Sequence, residues 1–248
     1  MLGKLLGIEF HEISMGAEKL FYLGPFPVTN TILTTWMVMA FLIALTLAVR
    51  RRFSLVPGAL QSVMEIVIET VYNLVRSITG EKVGRIIFPL IMTLFLFILT
   101  ANWFALLPGF GTITYHHVPI FRPPNSDLNT TLAMALITVL LVQVAGIVYR
   151  GIKGYLKEFI TPPILAPLMA PIHIISELSH ILSLSARLFG NIFGGDVVLT
   201  VIFVMFPVLI PAAFMILESL FGLIQAVIFA VLSTIYFSMS TAAHETEH

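Results

Sequence analysis

Glu177, Arg187, Asp196 and Glu218 stand in the most apolar part of this 248-residue chain. A charged side chain inside a bilayer costs at least ~2.5 kcal/mol on insertion scales, so it is either paired or put to use. Arg187 is the sharpest case, because it is the only Lys or Arg after Lys157. His173, Glu177, His180, Leu184, Arg187 and Asn191 follow one another at steps of four and three, one stripe along a helix. All but Leu184 are polar, and a polar stripe within a membrane lines water or meets another protein's polar group. Asp196 lies nine residues past Arg187, about 900° of helical turn and ~13.5 Å of rise, hence on the opposite face. The spacing predicts two aqueous pockets reached from opposite sides of a membrane, with a fixed positive charge between them. Gly190 and Gly194 form a small-residue row, with Gly195 beside it, that permits a close approach by another helix near Arg187. On the following helix Glu218, Gly222 and Gln225 share a face, where Gln225 serves equally well as a bond between helices.

The elements that must hold these residues are transmembrane. Hydrophobic residues make up 58% of the chain and charged ones 10%, with a mean hydropathy of +1.01. That leaves too little polar surface to cover a water-facing globule. Uncharged runs of about 20 residues mark spans. They fall at 31–49, 86–107 and 128–149, after an outer N-terminal segment at 1–30. Residues 60–78 read as an amphipathic interfacial helix, with Leu60, Val63, Val67, Val71, Leu74 and Ile78 on one face and Gln61, Glu65, Glu69 and Arg76 on others. The apolar remainder, 160–206 and 211–240, is a long helical hairpin broken near Pro207 and Pro211. The expectation is an all-α membrane protein of about five embedded helices plus one interfacial helix, in a single polytopic domain.

Charge asymmetry predicts its orientation. Arg50, Arg51, Arg52, Arg76, Lys82, Arg85, Arg150, Lys153 and Lys157 fall on one side, against Lys4, Lys19 and Arg122 on the other. The N-terminus is therefore expected outside and the C-terminus in the cytoplasm. Equal numbers of acidic and basic residues, 13 each, remove any general electrostatic case for nucleic acid binding. The absence of Cys excludes thiolate metal sites, disulfides and Cys nucleophiles. The terminal His244-Glu-Thr-Glu-His248 matches the H-E-x-x-H string of zinc proteases, but it reads as a solvated tail without a third ligand. His116 and His117 are adjacent and converge poorly on one metal. No cofactor is expected.

The run Ser183-Leu-Ser-Ala-Arg187-Leu-Phe-Gly-Asn191-Ile-Phe-Gly-Gly-Asp196 closely resembles the a subunit of F-type ATP synthases. Further matches run in the family's order, from Asn102-Trp-Phe-Ala-Leu-Leu-Pro108 through Asp127-Leu-Asn129-Thr-Thr-Leu132 and Pro171-Ile-His-Ile-Ile-Ser-Glu177 to Gln225-Ala-Val-Ile-Phe-Ala-Val-Leu232. The resemblance implies an ion-conducting stator subunit beside a rotating ring of c subunits, held by peripheral-stalk b subunits within the lipid bilayer. It further implies that the last two helices lie strongly tilted against the ring. Arg187 matches the arginine that faces the c-ring carboxylate and separates two half-channels. A guanidinium keeps its proton where a buried lysine could lose it. Asp196 and Glu218, with Asn191 and Gln225 nearby, match outer half-channel positions; Ser183 and Glu177 match positions toward the inner one, with His173 and His180 on the same stripe. Where some members pair a carboxylate with a histidine, this chain has two acids. Ser176 stands where many members have Glu, His180 replaces a frequent Lys, and Ile181 a frequent Pro. ATP chemistry is assigned to other subunits, since no G-x-x-x-x-G-K-[ST] string occurs. A bacterial plasma membrane is the expected location. The competing reading is a secondary ion-coupled carrier, but such carriers spread buried charges over both halves, and here they crowd the last third.

Overall fold

A computed structural model describes residues 16–51, 53–107, 110, 113–115, 118–160, 166–205 and 209–242. Residues 1–15 of the expected outer segment, Arg52, the His116–His117 pair and the His244–His248 tail lie outside the described residues. Among the described residues, five helices are long and apolar enough to cross a membrane. They are α1 (Asn30–Arg51), α2 (Ala59–Ala105), α3 (Leu128–Ile160), α4 (Ala166–Met205) and α5 (Leu209–Thr241). The loops at one end carry two short antiparallel hairpins, β1 (Lys19–Leu23) with β2 (Phe26–Thr29) and β3 (Thr114–Tyr115) with β4 (Val118–Pro119), and a 3-10 turn at Pro124–Ser126.

The expected interfacial helix and second span are two arms of α2, joined at Gly80. No loop separates them. Gly80 takes a φ of +77°, which only glycine adopts cheaply, so a single residue makes the bend. Arg76 pairs with Glu81 across it, and the Tyr72 hydroxyl donates to Glu81 at 3.3 Å. Gly151 (φ +73°) bends α3 in the same way just past Arg150, where the third span was expected to close. The final hairpin breaks between Met205 and Leu209, slightly before the expected start at 211. Pro211 sits in the first turn of α5, where its missing N–H forfeits no intrahelical bond.

The second arm of α2 is the hub. Ile87, Ile91, Leu94, Phe95 and Ile98 recur at helical spacing and are buried with Phe229, Ala230 and Phe237 of α5, Met134, Ala135 and Val142 of α3, and Leu184 and Leu188 of α4. By contrast α1 buries only Asn30, Thr31, Thr34 and Val38 and leaves the rest of its length to lipid.

Two polar clasps tie the ends. At the loop end, Asp127 is the N-cap of α3, accepting from the Asn129 N–H at 3.0 Å, and it also accepts from the Thr31 hydroxyl at 3.1 Å. Arg122 donates through Nε to the Ser126 hydroxyl (3.1 Å) and through Nη1 to the Gly16 carbonyl (2.7 Å). Buried Asn125 donates to Asn102 Oδ1 at 2.7 Å, and Asn102 donates to the Gly222 carbonyl at 3.0 Å. At the opposite end, the Ser238 hydroxyl donates to the Ile78 carbonyl (3.1 Å) and that of Ser240 to the Val142 carbonyl (2.9 Å), while Arg150 donates to the Met239 carbonyl. Arg50, Arg51, Arg76, Lys82, Arg85 and Arg150 thus share one end, and Lys19 and Arg122 the other.

The Asn102 bridge makes a stability prediction. Asn102→Ala leaves the Asn125 amide and the Gly222 carbonyl without their partner in a dry setting, at a cost of about 1–3 kcal/mol. Thermal unfolding in detergent should show a lower midpoint for this variant. Substitution of exposed Ser179, whose hydroxyl bonds only its own helix at the Ile175 carbonyl, should leave the midpoint unmoved.

Candidate functional site

The polar stripe of α4 runs along the border of that helix's buried face. Leu184 and Leu188 point into the core, at 1% and 0% exposure. Arg187 emerges on the exposed side with Ser183, whose hydroxyl accepts from Arg187 Nη2 at 3.4 Å. The six residues therefore do not line one common space. Among the described residues no carboxylate lies within salt-bridge distance of Arg187. Around it Leu182, Ala186 and Gly190 are exposed too, and a Cβ built on Gly190 or Gly194 would meet nothing within 4 Å. A guanidinium is thus presented on an open, smooth, apolar helix face.

Toward the basic end, the other members of the stripe come together. His173, Ser176, Glu177 and His180 of α4, Gln143 and Tyr155 of α3, and Tyr236 and Ser240 of α5 line a cavity of about 150 Å³, roomy enough for several waters. His180 Nδ1 lies 3.7 Å from Glu177 Oε2, and its ring stacks on Tyr236 with centroids 4.1 Å apart. The Tyr155 hydroxyl donates to Gln143 Oε1.

Toward the loop end, Glu218 of α5 is buried against the backbone of α4. A Cβ on Gly195 would sit 2.4 Å from Glu218 Oε1, so only glycine leaves the carboxyl its place. Glu218 Oε2 is buried and accepts no hydrogen bond. Asp196, half-buried, is within electrostatic range of both Glu218 and Arg122. Gln225 is buried two turns along α5 from Glu218, and Asn191 is half-buried one turn past Arg187.

The structure therefore groups Asp196 with Glu218, and His173 with Glu177 and His180, and leaves Arg187 alone with Ser183 between the two groups. Sequence reasoning placed Arg122 only in the charge count and Asn102 only in a family match, and assigned no site role to Asn125, Gln143, Tyr155 or Tyr236. Tyr236 carried no signal, because an aromatic in an apolar helix reads as packing.

Five membrane-length helices, with an arginine open on the bundle surface between two polar regions, define a polytopic membrane protein built around intramembrane charge. Residues 32–238 match the family model described as ATP synthase A chain. The chain is 39% identical over 226 residues to ATP synthase subunit a of Moorella thermoacetica, covering 91% of this chain and 97% of that protein. It is 36% identical over 239 residues to the subunit of the same name from Gloeobacter violaceus, covering 95% and 94%. It is 41% identical over 202 residues to ATP synthase subunit a 1 of Syntrophotalea carbinolica, covering 81% of each. The chain belongs to the ATP synthase A chain family.

The Gly195–Glu218 contact yields the second prediction. In Gly195→Val the branched side chain takes the space of the Glu218 carboxyl, and proton flux through membrane vesicles carrying the assembled complex should fall to background. Gly195→Ala should retain part of the flux, since its one methyl displaces only the end of a flexible side chain.

Proposed function

We propose that this chain is the ion-conducting stator subunit of an F-type ATP synthase, passing protons through two offset half-channels to and from carboxylates on a ring of c subunits. The observation that carries this reading is Arg187, unpaired by any described carboxylate and exposed on a smooth helix face, with one polar group on each side of it along α4 and α5. A partner helix carrying a carboxylate would complete the charge. Asp196 and Glu218, with Asn191 and Gln225 adjacent, form the outer half-channel; His173, Glu177 and His180, with Ser183 beside Arg187, form the inner one. Protons enter on one side, ride the ring, and leave on the other. Arg187 bars a direct path, because a guanidinium repels a passing cation and does not give up its own proton.

Geometry supports a tilted final hairpin. Gly222 is level with Asn102 at the loop end, and Ser238 with Ile78 at the basic end. Those 16 residues rise about 24 Å, close to one hydrocarbon thickness. Residues 209–221 continue another ~20 Å, mostly apolar and exposed, and an upright helix would hold them in water. Lying obliquely in the bilayer keeps them in lipid or against the ring. The basic end faces the cytoplasm, by the excess of Lys and Arg there. The membrane is the bacterial inner membrane, and peripheral-stalk b subunits hold the chain against rotation.

Arg187→Ala should bring proton-driven ATP synthesis in membrane vesicles to background while the complex still assembles. Arg187→Lys should fail as well, since a compact ammonium reproduces neither the planar fork nor the permanent charge. Near-normal synthesis in Arg187→Ala would remove the mechanism.

A further inference from the structure

We propose that Tyr236 is a positioning residue that clamps His180 as the pH-responsive proton carrier of the cavity on the basic-end side of Arg187. The inference rests on the half-channel reading above and names a device within it. The Tyr236 and His180 rings are stacked at 21° between planes, which fixes the imidazole's tilt, and both residues line the cavity. Its Nδ1 then faces Glu177 Oε2 at 3.7 Å, too long for a hydrogen bond and short enough for a proton to pass after a small movement or through one water. Imidazole is the side chain whose charge changes near neutral pH, and each ring nitrogen can take or release a proton.

Three further observations place Tyr236 on the route. It lines the cavity together with Glu177 and His180, and it lies within electrostatic range of both Glu177 and Arg187. It comes from α5 whereas His180 comes from α4, so the stack couples the two helices of the final hairpin. Among the described residues, the other titratable groups lining the cavity with His180 can be named. From its own helix they are His173 and Glu177, and from α3 Tyr155. From α5 it is Tyr236, and the 3-10 turn packed on α4 contributes no titratable side chain. In one and the same arrangement the ring stacks on Tyr236 and sets Nδ1 toward Glu177 Oε2.

The test is proton flux through the membrane sector of the assembled complex, in inverted vesicles stripped of the ATP-hydrolysing part, as a function of pH on the cytoplasmic side. Wild type should show a step between about pH 5 and 8. His180→Gln should lose the step and lower the flux roughly tenfold or more. Tyr236→Leu should lower flux comparably and displace the step, whereas Tyr236→Phe, which keeps the stacked ring, should retain both. The double variant His180→Gln/Tyr236→Leu should be no worse than His180→Gln, because the tyrosine acts through the histidine. Persistence of the step in His180→Gln, or equal profiles for Tyr236→Leu and Tyr236→Phe, would overturn the inference. Should Tyr236→Leu fail to assemble, His180→Gln and Tyr236→Phe still decide it. Failure of the half-channel reading is distinguishable, since Glu177→Gln and Arg187→Ala would then also conduct like wild type.

Discussion

On the proposed function one constraint governs the molecule: a permanent positive charge is held at a membrane-embedded helix face with no counter-ion among the described residues. Burying a guanidinium in the bundle would demand a carboxylate partner, and that partner would neutralise the charge. The fold avoids this by running the polar stripe of α4 along the edge of its buried face. Leu184 and Leu188 anchor the helix in the core while Arg187, one residue before Leu188, turns outward. Everything else follows from keeping that edge in register. The apolar hub of α2 fixes α4 and α5 from behind, and the two polar clasps fix α5 at its loop-end and basic-end levels.

The same constraint explains why the two polar groups differ in construction. On the loop side, Glu218 is held by exclusion, with the missing side chain of Gly195 leaving its carboxyl room against the α4 backbone. Arg122 is pinned by Ser126 and Gly16 and lends positive charge near Asp196. On the basic side the cavity is open enough for water, and its side chains come from three helices. In the proposed function, two acids at one end and a wet, histidine-bearing cavity at the other are two ways of handling a proton, separated by a residue that will not accept or release one.

Much of this was legible in residues. The spans at 31–49 and 128–149 were readable as uncharged runs closed by arginines, and Arg187 stood out because nothing near it in sequence could account for it. The resemblance set Asp196 and Glu218 at neighbouring outer positions, which the proposed function keeps. What the sequence hid was local backbone geometry and contacts between helices. Gly80 makes a bend in one residue where composition suggested a loop, because a positive φ leaves no periodic trace. Tyr236 is ordinary by helical spacing and gains meaning only from the ring stacked on it. The border position of the stripe was equally hidden: six residues at helical spacing share a face, but which edge of it is buried depends on neighbours hundreds of ångströms of extended chain away.

The claim that Arg187 separates two water-filled regions open to opposite sides is tested most directly by accessibility. Single cysteines at Glu177, His180, Asp196 and Glu218 in the assembled complex would be exposed to a membrane-impermeant thiol reagent from each side in turn. Cysteines at 177 and 180 should react only from the cytoplasmic side, and those at 196 and 218 only from the opposite one. Reaction of all four from the same side would contradict the account, because a single continuous channel would then pass the arginine.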